Sequence, residues 1–195
     1  MKDKKILLDI AAEAIKEEFA ANATIDRHAL LLSYPQLGKD GAVFVTLYKN
    51  GALRGCIGSI IAHRPLIDDL IHNAKAAAFS DPRFSPLKPE ELDSIDIEIS
   101  ILTAPKRVEY LDIADLKRII RPGIDGVIIK KGPYQATYLP SVWEQLPDFD
   151  SFFSTLCQKA SMASNCIESH PQIYIYQAEK IGAKRKKQDE RRRIQ

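Results

Sequence analysis

The chain has 195 residues, 45% hydrophobic and 28% charged, with 28 Lys or Arg against 26 Asp or Glu and a net charge of +2. That suffices for one globular domain or two small lobes, and no apolar run approaches the ~20 residues of a membrane span. The charge is uneven: residues 180 to 195 hold eight Lys or Arg against Asp189 and Glu190, leaving 20 basic and 24 acidic residues in 1 to 179.

Lys4 to Ala20 predicts an amphipathic helix with Leu7, Ala11, Ala14, Ile15 and Phe19 near one stripe. Its acidic interruptions, with no small-residue cleavage site after it, argue against a signal peptide. Residues 22 to 40 read as a mixed connection, with His28 at the surface. From Ala42 to Ile60, apolar alternation on both sides of Asn50-Gly51 predicts a β-hairpin, because this pair accepts the positive φ of a tight primed turn. On a regular returning strand Leu53, Gly55, Ile57 and Ser59 face one way, and Arg54, Cys56 and Gly58 the other. A guanidinium then neighbours a thiol and favours the reactive thiolate. Gly55 and Gly58 either make a bulge or keep space open for another backbone or a small molecule to reach the sulfur. The plain alternative is that Cys56 is a small buried hydrophobe.

Pro65 opens a second helix whose buried stripe is Leu66, Ile67, Leu70, Ile71, Ala74, Ala77 and Ala78, with Asp68, Asp69 and His72 facing elsewhere. It stops near Asp81-Pro82. Ile95 to Ile101 alternates as a half-buried strand, its polar face (Asp96, Glu98, Ser100) being either solvent or one wall of a cleft. A helix over Ile113 to Ile120, a hairpin turning at Lys131-Gly132-Pro133, a short helix around Trp143, a helix over Phe149 to Met162 and a last strand over Gln172 to Tyr176 complete the pattern. Hairpins and irregularly spaced helices favour α+β with a mostly antiparallel sheet and packed helices. The basic tail, 180 to 195, reads as a solvated extension of a single domain over 1 to 179, with a nucleic-acid contact as the weaker alternative.

Cys56, Cys157 and Cys166 show no paired pattern, so the sequence predicts no disulfide framework and a reducing cytoplasm. Phosphate-loop, dinucleotide, metalloprotease and hydrolase motifs are missing, and the four histidines and three cysteines lack zinc spacing. His63 stands seven residues after Cys56; a thiol-imidazole pair is one reading, and an exposed loop histidine is the stronger.

The segments GAVFVTLYKNGALRGCIGSI, RPLIDDLIHNA, AAFSDPRFSPL, LDSIDIEISIL, PGIDGVII, ATYLPSVWEQLP and LCQKA, in order over about residues 34 to 162, resemble the AMMECR domain in its stand-alone prokaryotic form, AmmeMemoRadiSam system protein A. The LRGCIG core is highly specific to that family. The resemblance implies two unequal lobes with a cleft between them. It carries over Arg54, Cys56, Arg64, Asn73, Asp81, Arg83 and Glu98 as signature polar residues, with Gly55 and Gly58 shaping the backbone; His63 falls at a variable position. It also implies a modification pathway shared with Memo-type and radical-SAM proteins, and it names no reaction, cofactor or oligomeric state.

Two expectations follow. In an enzyme, Cys56 is nucleophile or substrate anchor, Arg54 or Arg64 binds an anion, and Glu98 or Asp81 handles a proton. In a non-catalytic binding module the same groove takes a peptide or protein partner, and Arg64, Asp81 and Arg83 form Arg-carboxylate pairs joining the lobes.

Overall fold

A computed structural model of the chain describes residues 4–20 and 23–182. The elements in order are α1 (Lys4–Glu17), α2 (Arg27–Ser33), β1 (Ala42–Lys49), β2 (Ala52–Gly58), α3 (Leu66–Phe79), β3 (Ile95–Leu102), β4 (Lys106–Val108), α4 (Ile113–Ile119), β5 (Gly126–Lys131), β6 (Tyr134–Tyr138), α5 (Phe149–Lys159), β7 (Gln172–Tyr176) and β8 (Ala178–Ile181). Short 3-10 turns stand at Pro35–Gly38, Pro89–Ser94, Pro140–Glu144 and Cys166–Ser169. The class is α+β. The chain divides into two compact units, one of Met1–Ile101 with Glu179–Gln195 and one of Leu102–Ala178.

In the first unit a sheet of order β2-β1-β3-β8 is built on the predicted hairpin. Asn50 and Gly51 both take positive φ, 52° and 79°, as a primed turn requires. Strands β1 and β2 pair antiparallel, with Thr46 opposite Cys56 and Leu47 opposite Gly55; the register then slips, so that Tyr48 faces Leu53 and Arg54 is left without a partner. The bulged residue, Arg54, stands beside Gly55, and the room the glycines leave is taken by neighbouring parts of the fold and not by open space for a small molecule. A Cβ on Gly55 would stand 2.1 Å from the carbonyl oxygen of Ala77 in α3, and one on Gly58 would stand 2.3 Å from the ring of Phe44. Gly55 therefore lets the backbone of β2 lie directly against α3.

Helix α3 fills the core of this unit. Ile67, Leu70, Ala74, Ala77 and Ala78 are buried with Leu7, Ile10, Ala11, Ala14 and Ile15 of α1 and with Val43, Val45, Leu47, Ile99 and Ile181 of the sheet, and Ile57 packs against them half-buried. Three expectations need correction here. The connection over 22 to 40 contains α2, capped by Asp26, whose carboxylate accepts the Ala29 N–H. Phe19 lies past the end of α1 and meets Phe79 edge to face instead of joining the stripe. Asp69 does not face elsewhere: it is wholly buried. Strand β8 enters the stretch read as tail, placing Ile181 in the core; residues 183 to 195 lie outside the described residues.

The second unit has its own sheet, β4-β7-β5-β6, antiparallel at each pairing. Its core packs Trp143 and Phe152, stacked at 3.6 Å between ring centres, with Phe153, Leu156, Val127, Ile129 and Ile173. Cys157 and Cys166 form a disulfide that ties the end of α5 to the following 3-10 turn, against the expectation of none. Both sulfurs are in the core, and Cys56 is the one free cysteine. Among the described residues no helix is long and apolar enough to cross a membrane.

Because the Ala77 carbonyl is backbone and cannot swing aside, Gly55→Ala is expected to destabilise the protein by at least about 1–3 kcal/mol in urea unfolding. Gly38→Ala, whose methyl meets only Leu31 Cδ2 at 3.4 Å, is the mild control. Equal stability of the two variants would refute the close approach.

Candidate functional site

Cys56 sits on β2, an edge strand, and is half-buried. Its side chain lies on the sheet face opposite the core, paired with Thr46, whose hydroxyl is 3.4 Å from Sγ. An edge strand leaves alternate N–H and C=O groups unpaired. Cys56 has both engaged by a short segment after α3: its N–H donates to Asp81 Oδ2 at 2.8 Å, and its carbonyl accepts from Arg83 at 3.4 Å. Asp81 and Arg83 thus replace a neighbouring strand at this one residue.

The two are themselves joined. Arg83 donates from Nε to Asp81 Oδ1 at 2.9 Å and from its terminal nitrogen to Oδ2 at 2.7 Å, while its backbone N–H also reaches Oδ1. Asp81 is buried, and the bidentate guanidinium holds its carboxyl far below the usual carboxylate range. Arg83 is raised in turn by that carboxylate, with a smaller contribution from the Cys56 sulfur. Its side chain remains 54% exposed while it reaches the Cys56 carbonyl.

Arg54 goes elsewhere. Released by the bulge, it binds Glu91 through Nε at 3.1 Å and through a terminal nitrogen at 3.0 Å, and no hydrogen bond links it to Cys56. Lys49 joins the same carboxylate at 2.8 Å, and Arg54 with Lys49 lowers Glu91 to about 2. The Phe84 ring is near both guanidinium groups, with the Arg54 and Arg83 guanidinium carbons 5.9 and 5.5 Å from its ring centre.

Arg64 and Asn73 come together on a residue that the sequence reading placed outside the site. Asp69 accepts from the Val43 N–H at 2.9 Å, the Ser59 hydroxyl at 2.6 Å, Arg64 Nε at 2.8 Å and the Asn73 amide at 3.0 Å. Asn73 also donates to the Val43 carbonyl. Asp69 and Asn73 are one helical turn apart, and that i, i+4 spacing was the available signal. Glu91 was missed as well; it lies 37 residues from Arg54 and gave no local signal. The Arg64–Asp69 and Arg83–Asp81 pairs both lie inside the first unit, so neither joins the two units.

Glu98 and Ser100 are buried on β3, on the same sheet face as Thr46 and Cys56, because Ile99 between them points into the core. That polar face is therefore not plain solvent. Lys180 of β8 pairs with Glu98 at 3.6 Å. His63 is exposed and turned to the Ile61 carbonyl, away from the thiol. Among the described residues no group of three or more His, Cys, Asp or Glu could hold a metal ion.

The sequence profile of AMMECR1 matches residues 8–181. The chain belongs to the AMMECR1 family. It is 45% identical over 139 residues to a protein of Methanothermobacter thermautotrophicus, covering 70% of this chain and 72% of that one. It is 43% identical over 169 residues to protein LS215_2104 of Saccharolobus islandicus, covering 83% and 73%. Among solved structures it is similar to the uncharacterized protein PH0010 of Pyrococcus horikoshii, with a TM-score of 0.80, 33% identity, and coverage of 90% and 88%. The α+β architecture is thus shared with a solved chain.

The Glu91 pair fixes a pH dependence. Its carboxyl titrates lower when folded than its ordinary 4.5, so the stability it confers is complete above about 4.5 and lost as pH falls through about 2. Glu91→Gln is expected to lower the urea midpoint at pH 6 and to flatten its decline towards pH 2.5. An unchanged acid limb would contradict the pairing.

Proposed function

We propose that this AMMECR-domain protein works through a cleft around Leu53-Arg54-Gly55-Cys56-Ile57-Gly58, with Cys56 as a reactive thiol or substrate anchor. The observation that carries the reading is the setting of Cys56: its N–H and C=O are both tied, its Sγ lies 3.4 Å from the Thr46 hydroxyl, and the guanidinium on its carbonyl is that of Arg83. A cation near a thiol favours the thiolate, the form that bonds to an electrophile or coordinates. In such a capture the sulfur supplies the electron pair, the electrophile's leaving group departs with its own, and the thiol proton passes to solvent. Of the arginines expected from sequence, Arg83 is the one whose guanidinium also reaches Cys56, and its exposed side chain, although paired with Asp81, is the part of the site that an anionic ligand would meet.

The alternative, a non-catalytic binding or adaptor module for a peptide or protein, is favoured by a specific observation. Asp69, Asp81 and Glu91 each hold at least three donors, so none offers a free oxygen for proton transfer. Glu98, the remaining candidate, is paired with Lys180. Anchoring therefore asks less of these residues than a multistep reaction does. The pathway in which the site acts is the one shared with Memo-type and radical-SAM proteins, a reading supported by the LRGCIG core and by family membership. A reducing cytoplasm suits a free working thiol, and the Cys157–Cys166 bond, buried in its core, is shielded there from reductants.

Treatment of the native protein with iodoacetamide is expected to add one label, at Cys56, read by peptide mass analysis, and Arg83→Gln is expected to slow it severalfold. Prior addition of a Memo-type protein should protect the thiol, and Cys56→Ser should still bind that partner if the site is an adaptor. Absence of label on the folded protein would overturn the reading.

A further inference from the structure

Helix α2 is anomalous. Its sequence, Arg27-His28-Ala29-Leu30-Leu31-Leu32-Ser33, holds three consecutive leucines, yet no residue of it is buried and Leu32 is 70% exposed. Between α2 and α1 runs a groove of about 400 Å3, floored by Ile6, Ile10, Ile25 and Leu30 and edged by Asp9, Glu13 and Asp26. The edge is short of cations. Glu13 accepts from the Thr24 hydroxyl and Asp26 from a backbone N–H, both neutral donors, and only Asp9 has a partner lysine, Lys5. An apolar floor with an acidic edge suits a basic segment that carries a few apolar side chains.

We infer that the occupant is the chain's own C-terminal segment, residues 183 to 195. Three observations support this choice over a separate partner. The segment is basic, with Lys184, Arg185, Lys186, Lys187, Arg191, Arg192 and Arg193 against Asp189 and Glu190, and it carries the apolar Ile194. The chain leaves β8 against α1: a Cβ on Gly182 would lie 3.2 Å from Leu8, and Glu179 pairs with Lys4. Leu8 is the residue before Asp9 on the groove edge. Thirteen residues extend about 40 Å, whereas the fourteen of α1 span about 21 Å, so the reach is ample. A tethered segment also meets its groove at an effective concentration that a free peptide rarely attains. The contact lies in the first unit and involves neither Cys56 nor its clamp. The seven cations neutralise the acidic edge, while Ile194 covers part of the leucine face.

The test uses the full chain with a nitroxide spin label at Ile194→Cys in a Cys56→Ser background, read by methyl NMR. The label should selectively broaden Ile6, Ile10, Ile25 and Leu30, and leave Val127 and Ile129 sharp. Broadening should weaken severalfold in 0.5 M salt and in the Lys184, Arg185, Lys186, Lys187→Glu variant, and recover in part when Asp9→Lys is added to that variant. Broadening that is absent or spread evenly over the surface would overturn the inference. So would broadening that appears only between molecules, in a mixture of spin-labelled and isotope-labelled protein, since the occupant would then be a second copy.

Discussion

The arrangement around Cys56 depends on two carboxylates set about one helix length apart. Asp69, in the first turns of α3, takes the N–H of Val43 from β1; Asp81, just after its last turn, takes the N–H of Cys56 from β2. Between them Gly55 allows β2 to touch the helix backbone at Ala77. The hairpin is therefore fastened to α3 at Val43 and at Cys56, and its backbone meets the helix at Gly55, next to the second attachment. Each carboxylate is buried, and each is tolerable there because a guanidinium and several N–H or O–H donors satisfy it. Removing Asp69 would leave buried donors unpaired at Val43, and removing Asp81 would leave the Cys56 N–H unpaired on an edge strand.

This fastening explains why polar residues that resemble a catalytic set in the sequence are mostly occupied in the fold. Arg64, Asn73 and Asp69 position the hairpin, Arg54 and Glu91 close its outer corner, and Asp81 holds the backbone of the cysteine. What remains uncommitted is the sulfur itself, the Thr46 hydroxyl beside it and the exposed part of Arg83. A site with one nucleophile, one cation and no spare base is better suited to holding a ligand than to moving protons through several steps.

Much of the fold was legible because the hairpin, α3 and β3 carry strong local signals: Asn50-Gly51 between alternating runs, Pro65 ahead of a helical stripe, and four isoleucines at period two. Helix α2 escaped because none of its seven residues is fully buried and its leucines run consecutively without a stripe, although its cap, Asp26, was visible. The site was legible as a set of residues but not as a set of partners. Strict alternation placed Arg54 beside Cys56, and a one-residue bulge sent it to Glu91; Asp69 reads as a surface acid until its four donors, from three segments, are assembled around it. The Cys157–Cys166 bond escaped for a similar reason, since nothing in the spacing shows that the chain doubles back after α5.

Amide hydrogen exchange resolved to single residues tests the fastening most directly. The amides of Val43 and Cys56 are predicted to exchange as slowly as the core of β1, with Asp69→Asn accelerating Val43 and Asp81→Asn accelerating Cys56 by at least tenfold. Fast exchange of the Cys56 amide in the unaltered protein, or an Asp81→Asn variant that leaves it unchanged, would contradict the account.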